Sequence, residues 1–336
     1  MKKVLYSIFI LGLITLAACG SNESSGDASD ETETSGAGNE TYTVGATQIV
    51  EHPSLDEAYN GFQAALEDAG LNVEYDFQSA QGDQNNVGPI AGNFVADNVD
   101  LIFANSTPSA LGALQSTNEI PIVFTSVTDA VEAGLVDSME DAGENITGVL
   151  DLHPESIEKT VEFIDTYFEG ATVGLVYNAG EQNSVVQVEA VHEAAEGTSL
   201  SVSESTVSNS SEVQQATESL VGTADVFFIV TDNTVVSALE SVVGIAESQG
   251  IPLLVGEPDS LGRGGFATFG IDYYSIGYRS GEMAADILTG EKTTKDFPVE
   301  YPQNIQLFIN RDAAENQGVE WNDEWDDEAE FVDPEE

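Results

Sequence analysis

Cysteine is almost absent from this sequence: the only one, Cys19, lies near the amino terminus, which excludes an internal disulfide. It follows Leu-Ala-Ala at the end of an apolar run, residues 4–18, that begins behind Met-Lys-Lys. This run is too short to cross a hydrocarbon core comfortably, because that takes about 20 helical residues. A charged start, a short apolar run and small residues before a cysteine are typical of a bacterial lipoprotein signal. We therefore expect a signal peptide over 1–19 and an acyl chain such as palmitate on Cys19; a plain secretory peptide or a short anchor with an incidental thiol is the alternative.

Basic residues are also scarce. Lysine and arginine number 8 against 60 acidic residues, which gives a formal net charge of -52. Such a polyanion is repelled by nucleic acid and by anionic lipid surfaces, so a nucleic-acid partner is excluded. The acids are spread along the whole chain without the spacing of a calcium loop, which favours a solvated, halophile-type acidic coat over a calcium-binding surface. The densest acidic stretch, 321–336, is predicted to be a flexible tail.

Apolar residues are nearly missing from 20–40, so this segment is predicted to be a disordered acidic linker. Beyond it, strand and helix patterns alternate in two rounds. The predicted strands are 43–50, 71–77, 99–104, 120–125, 172–177, 200–207, 226–230, 251–255 and 265–271, with helices between them. Alternation of this kind predicts an α/β fold with two doubly wound parallel-sheet lobes.

Ligands of open parallel sheets bind beyond the carboxyl ends of the strands, and polar residues cluster there in this chain. Two hydroxyl-rich turns, Thr107-Pro108-Ser109 and Ser126-Val127-Thr128, offer hydroxyls and free N–H groups to a carboxylate or phosphate. The same residues could simply cap helices. The other candidate binding residues are Gln48, His52, Tyr177, Glu181, Asn183, Ser184, Asp232, Asn233, Asp272 and Tyr273. Asp232 could pair with a ligand ammonium or serve as an ordinary helix N-cap.

Catalytic and metal-binding patterns are missing. The three histidines, His52, His153 and His192, are too scattered to form a metal-ligand pattern. No nucleophile elbow, phosphate loop or dinucleotide fingerprint occurs. We therefore expect no cofactor, no metal and no enzymatic activity, with a hydrolase that uses His52 and a nearby serine as the rival interpretation.

Several strand-end motifs resemble one known family. They are QIVEHPSLD from Gln48, NSTP from Asn105, FTSVTD from Phe124, NITG from Asn145 and TDN from Thr231. Together they resemble the substrate-binding proteins of ABC transporters of the tryptophan/tyrosine uptake type, over about residues 43–290. One departure is Ala130, where the family usually has proline.

That resemblance implies a type I periplasmic-binding-protein fold whose hinge is crossed three times, near Leu150, Asp272 and Glu291. Lobe 1 would then comprise 41–150 with 272–291, and lobe 2 would comprise 151–271 with 292–320. By the same analogy, Thr107 to Ser109 and Ser126 to Thr128 would hold the ligand carboxylate. Asp232, with Glu181, would hold the ammonium, and Gln48, His52, Tyr177 and Tyr273 would contact the ligand side chain.

The expected function is that of a monomeric receptor, lipid-anchored on the outer face of the cell membrane. It would close over a free aromatic amino acid, tryptophan or tyrosine, and deliver it to an ABC permease. Two alternatives remain open at this point: a receptor for another small solute, such as a sugar, nucleoside or different amino acid, and a sensor subunit rather than a transport component.

Overall fold

The computed structural model of this chain describes residues 41–332. The predicted signal peptide, Cys19 and the acidic linker lie outside the described residues. No helix among the described residues is long and apolar enough to cross a membrane.

The described chain folds into two α/β lobes. The first sheet has the order β2-β1-β3-β4-β5, and all its strands are parallel. Its elements are β1 (Thr41–Gln48), α1 (Pro53–Asp68), β2 (Asn72–Ser79), α2 (Gln84–Asp97), β3 (Leu101–Asn105), α3 (Thr107–Ser116), β4 (Ile122–Val127) and β5 (Ile146–Leu150). Strands β3, β4 and β5 are buried along their whole length, because helices cover both faces of the sheet.

The second sheet has the order β12-β11-β10-β9-β8-β6-β7 and is parallel except for the β10–β11 pair. The remaining elements, in chain order, are α4 (Ser156–Tyr167), β6 (Thr172–Asn178), α5 (Gln182–Ala195), β7 (Ser201–Val207), α6 (Val213–Leu220), β8 (Val226–Ile229), α7 (Asn233–Val236), α8 (Leu239–Gln249), β9 (Leu253–Val255), α9 (Asp259–Gly262), β10 (Ala267–Gly270), α10 (Tyr273–Leu288), β11 (Gln306–Ile309), α11 (Arg311–Asn316), α12 (Trp325–Glu328) and β12 (Glu330–Phe331). Each sheet has an apolar core on both faces. The predicted fold class, with two parallel-sheet lobes, is confirmed.

Helix α10 leaves the second sheet and packs along α1 of the first lobe. The two helices approach closely where Gly61 and Gly277 lie, because a Cβ at either position would collide with the backbone of the other helix. We define lobe 1 as residues 41–150 with 272–300, and lobe 2 as residues 151–271 with 305–332.

The third hinge crossing lies further along the chain than predicted. The prediction placed it near Glu291, but 292–300 still belongs to lobe 1. The Thr147 hydroxyl donates to the carbonyl of Phe297 at 3.2 Å, and Glu300 pairs with β5 through its N–H to the carbonyl of Gly148 at 3.0 Å. Phe297 is buried in the lobe 1 core, which holds this segment there and moves the crossing to 301–304.

The prediction of a flexible acidic tail is wrong for 321–332. Trp325 is 1% exposed and packs between Phe163 and Tyr167. The Arg311 guanidinium lies 4.3 Å from the ring centre of Trp321, and β12 pairs with β11. Burial of an indole and a cation–π contact outweigh the acidity of this segment, so it completes lobe 2.

Candidate ligand-binding site

The carboxyl ends of the two sheets face one another across a small cavity. The cavity is lined by His52, Leu55, Ser126, Thr128, Asp151, Asn183, Thr231, Asn233, Val236, Glu257 and Tyr273. Both lobes and the hinge therefore contribute side chains to it. Of the sixteen residues predicted to bind ligand, six line this space: His52, Ser126, Thr128, Asn183, Asn233 and Tyr273.

The lobe 1 wall is organised by a chain of buried hydrogen bonds. The Ser126 hydroxyl donates to Asn105 Oδ1 at 2.7 Å, and Asn105 Nδ2 donates to Gln48 Oε1 at 3.1 Å. Ser126 has a positive φ of 55°, at an irregularity in the pairing of β4 with β5. Because of this irregularity, one residue of the turn can face the cavity while the next packs into the core. Gln48 is fully buried and lies behind the wall, where it supports Asn105 instead of lining the cavity as predicted.

The first hydroxyl-rich turn also lies behind this wall. Ser106 caps α3, and its hydroxyl donates to the Ser109 hydroxyl at 3.0 Å. The Thr107 hydroxyl accepts from the N–H of Thr128 at 3.4 Å, so it positions the second turn. Thr107 and Pro108 line a separate groove. The predicted ligand contacts of Thr107, Pro108 and Ser109 are therefore not supported by their placement, because the Thr107 and Ser109 hydroxyls bond within lobe 1 and none of the three residues lines the cavity.

Val127 of the second turn is fully buried in the lobe 1 core. Residues alternate in direction along a strand, so the cavity receives its neighbours Ser126 and Thr128 instead. The Val127 side chain therefore does not line the cavity.

The predicted ammonium-binding acids, Asp232 and Glu181, bind lobe 2 backbone instead. Asp232 is fully buried; its Oδ1 accepts from the N–H of Val235 at 2.7 Å and its Oδ2 accepts from the N–H of Asn178 at 2.6 Å. Burial, and then the nearby Glu181, raise the pKa of Asp232 to about 7. Glu181 accepts four hydrogen bonds from the amide and hydroxyl groups of Asn233 and Thr234. Neither acid lines the cavity, because both accept hydrogen bonds from N–H groups at the start of α7 that have no partner within the helix.

Three further predicted contacts lie elsewhere. The Tyr177 hydroxyl donates to Glu204 Oε2 at 2.8 Å on the exposed side of the β6–β7 pair. Ser184 is buried beneath Asn183. Asp272 caps α10 by accepting from the N–H of Tyr274 at 3.0 Å. Each side chain satisfies a local polar group, so each of these predictions is corrected.

Two acids that line the cavity, Asp151 and Glu257, are not among the sixteen predicted binding residues. Asp151 is 8% exposed, and its Oδ2 accepts from the Tyr273 hydroxyl at 2.9 Å. Burial raises the pKa of Asp151 to about 6, although the hydrogen bond from the Tyr273 hydroxyl acts to lower it. Asp151 directly follows β5 and Glu257 lies two residues beyond β9, so the strand-end rule could have found both.

His52 lies at the N-cap of α1 and is 9% exposed. Burial lowers the pKa of His52 to about 4, the positive charge of Arg263 adds to this effect, and Asn233 opposes it. The imidazole is therefore neutral at physiological pH, so one ring nitrogen donates a hydrogen bond and the other accepts one.

The two lobes touch each other directly around the cavity. The Ser54 hydroxyl of lobe 1 donates to Glu257 Oε2 of lobe 2 at 2.6 Å. Gln84 Nε2 of lobe 1 donates to the carbonyl of Gly180 in lobe 2 at 3.1 Å. These contacts define a closed arrangement of the lobes.

The cavity chemistry is rich in hydrogen-bond acceptors and hydroxyls, with rings and aliphatic groups beside them. Neither lysine nor arginine lines it, whereas two carboxylates do. Across the described residues, no group of three or more His, Cys, Asp or Glu side chains is placed to hold a metal ion. The arrangement suits a small organic ligand that carries a positively charged donor group.

Comparisons with known proteins agree with this geometry. Residues 43–332 match the family model described as ABC transporter substrate binding protein. The tyrosine-binding protein of Clostridioides difficile is 42% identical over 319 residues, which is 93% of this chain and 91% of that protein.

Two solved structures bear on the arrangement of the lobes. An ABC domain from Streptococcus pneumonia in complex with L-Trp is 30% identical, covers 87% of this chain and 100% of its own, and superposes with a TM-score of 0.82. A ligand-free, open substrate-binding protein with adhesive properties from Clostridium difficile is 39% identical and covers 88% and 100%, yet its TM-score is 0.64. The less identical, ligand-bound structure superposes better, in accord with the closed lobes here. The fold, the cavity between its lobes and the matched family model together establish a non-enzymatic binding function, and the chain belongs to the family of ABC transporter substrate-binding proteins.

Proposed function

We propose that this protein captures a free aromatic amino acid, tyrosine or tryptophan, outside the cell and delivers it to the permease of an ABC importer. The observation that carries the proposal is the cavity between the closed lobes, which carboxylates, hydroxyls and rings surround. The names of the tyrosine-binding relative and of the L-Trp complex support the same ligand class.

The lining of the cavity favours a single amino acid. The Thr128 hydroxyl on lobe 1 can donate to a ligand carboxylate, whereas the Ser126 hydroxyl already donates to Asn105. The rings of His52 and Tyr273, with Leu55 and Val236, offer the flat apolar surface that an aromatic side chain requires.

Ligand binding would favour the closed lobes. A ligand that touches both walls adds contacts that exist only in the closed state, and so shifts the population toward it. The direct contacts of Ser54 and Gln84 with lobe 2 would then be made together with the ligand contacts.

The ligand class is tested by calorimetry and thermal unfolding of the purified full chain with the twenty amino acids, common sugars and nucleosides, in molar salt. Tyrosine or tryptophan at 100 times its dissociation constant should stabilise the fold by about 2.7 kcal/mol. Stabilisation by a sugar or nucleoside, with none by any amino acid, would refute the proposed ligand class.

Membrane anchoring is proposed on Cys19 alone. Replacement of this residue, Cys19→Ser, should release the protein from the membrane fraction and abolish incorporation of labelled palmitate. Membrane retention of the variant would show that another feature anchors the chain.

A further inference from the structure

Three polar atoms around the cavity are buried and have no hydrogen-bond partner among the described residues. They are His52 Nδ1, Asp151 Oδ1 and Asn183 Oδ1. A buried polar atom without a partner costs about 1–3 kcal/mol, and more when the group is charged. Three of them in one small cavity indicate that a ligand completes their hydrogen bonds.

The orientation of two of these acceptors is fixed by their other contacts. Asn183 Nδ2 donates to the carbonyl of Thr231 at 3.0 Å. Since a carbonyl can only accept, the amide must keep its oxygen free toward the cavity. In the same way the Tyr273 hydroxyl occupies Asp151 Oδ2 and leaves Oδ1 free.

We propose that Asp151 and Asn183 together bind the ammonium group of the ligand; this inference rests on the proposed function. An ammonium group carries three donors and no acceptor, which matches two unpartnered oxygens. Glu257 is less suited, because its oxygens accept from Ser54 and Ser260.

The position of Asp151 links ammonium binding to the hinge. Asp151 follows β5, where the chain first crosses between the lobes, and Tyr273 begins α10, where it crosses again. Their hydrogen bond joins the two crossings, and Asn183 adds a contact from lobe 2. An ammonium group held by Asp151 and Asn183 would thus tie the hinge to the lobe that moves.

The proton on Asp151 gives a second readout. Burial raises the pKa of this carboxyl to about 6 in the structure without ligand, and a bound ammonium favours its charged form. The titratable groups that face it are Glu257, which raises the pKa further, Tyr273 and His52, whose own pKa of about 4 keeps it neutral. Amino-acid affinity should therefore be constant well above pH 6 and fall as the pH drops below it.

The test pairs a protein change with a ligand change. The isosteric variant Asp151→Asn and the wild type are titrated with L-tyrosine and hydroxyphenylpropanoate, and with L-tryptophan and indolepropanoate, so that the members of each pair differ by the ammonium. The wild type should prefer the amino acid by at least about 30-fold, the equivalent of 2 kcal/mol for a buried charged contact. Asp151→Asn should lose most of that preference. Its affinity for the amino acid should also no longer fall as the pH drops below 6.

The matched control is Asp232→Asn, which removes the charge of a buried acid that does not line the cavity. It should keep the preference ratio, whatever its effect on stability. Thermal unfolding verifies that each variant is folded. If the wild type binds the amino acid and Asp151→Asn keeps the same preference ratio, this inference alone is overturned. If the wild type binds neither amino acid, the proposed function and this inference are both overturned.

Discussion

The residues Asp151 and Asp232 show how neighbouring backbone decides what a carboxylate can do. Both follow a buried strand, and both are themselves buried. Asp232 stands directly before α7 and accepts the N–H of Val235, whereas the helix after Asp151 begins five residues later, at Ser156. Asp151 therefore keeps one oxygen free for a ligand, and Asp232 does not.

At the residue scale, Tyr273→Phe should weaken amino-acid binding by removing the hydroxyl that orients Asp151. A hydrogen bond to a charged group contributes about 1.5–3 kcal/mol, which corresponds to a loss of at least about tenfold in affinity. Loss of this hydroxyl also raises the pKa of Asp151 further, so the defect should be larger at pH 6 than at pH 8. Calorimetry at both pH values measures it.

The control for this variant is Tyr177→Phe, which removes a hydroxyl that bonds Glu204 outside the cavity. Its affinity should equal that of the wild type. Equal affinities for Tyr273→Phe and the wild type at both pH values would contradict the orienting role.

At the scale of elements, close packing of α10 on α1 returns the chain to lobe 1. The family resemblance implied that the chain returns to lobe 1 near Asp272, but it did not give the reason for the glycines of α10. Gly277 meets the backbone of Ala58, and Gly281 meets that of Phe62. Only residues without Cβ allow two helix backbones to approach so closely.

We expect Gly277→Ala to destabilise the protein by more than about 2 kcal/mol, because overpacking against a rigid backbone forces the helices apart. Gly92→Ala is the matched control: it lies inside α2 with open space around it, so it should stabilise by about 0.5–1 kcal/mol. Denaturant unfolding of both variants compares them. A stabilising Gly277→Ala would show that the interface yields.

The carboxyl-terminal segment is the second element whose role came only from packing. Trp325→Ala should cost about 3–5 kcal/mol, because it empties a site between Phe163 and Phe266 in the lobe 2 core. Phe331→Ala, at a ring that is 38% exposed, should cost less. Thermal unfolding measures both, and equal costs would mean that α12 is not part of the core.

At the scale of the whole molecule, binding depends on closure of the lobes. The bond from Ser54 to Glu257 exists only when the lobes touch. Ser54→Ala should therefore weaken ligand binding by about 3- to 10-fold, the value of one hydrogen bond, and shift ligand-free molecules toward open forms that small-angle scattering detects. Ser116→Ala, which loses a bond within α3, is the control; identical affinities for the two variants would argue against a closure contact.

Buried acids also set the dependence of stability on pH. Burial, as the largest cause, raises the pKa of Asp151 to about 6 and those of Asp232 and Asp259 to about 7. An acid whose pKa is raised in the folded state contributes its full stabilising effect below its unfolded pKa of about 4. That contribution is lost as the pH rises through the pKa of the folded state. Repulsion among 60 acidic residues adds to the same trend.

The midpoint of thermal unfolding should therefore be higher near pH 5 than near pH 8. Molar salt should reduce the difference only in part, because exposed charges are screened and buried ones are not. A midpoint that rises between pH 5 and pH 8 in dilute buffer would contradict this assignment.

Much of the fold was predictable because strands covered on both faces must be continuously apolar, and the helices between them must be amphipathic. These are local patterns, visible in runs such as Leu101 to Asn105. The short polar-flanked strand β5 and the returning segment 292–300 were not predicted, since β5 becomes regular by pairing with β4 and the returning segment by pairing with β5.

The sequence by itself determined the α/β alternation, the acidic surface and the strand-end positions at which a site could form, because these follow from composition and periodicity. Tertiary structure alone decided which strand-end residues reach the cavity. Whether a carboxylate such as Asp232 caps a helix, or one such as Asp151 stays open to a ligand, depends on which N–H groups the surrounding chain leaves unsatisfied, and that is a property of three-dimensional packing.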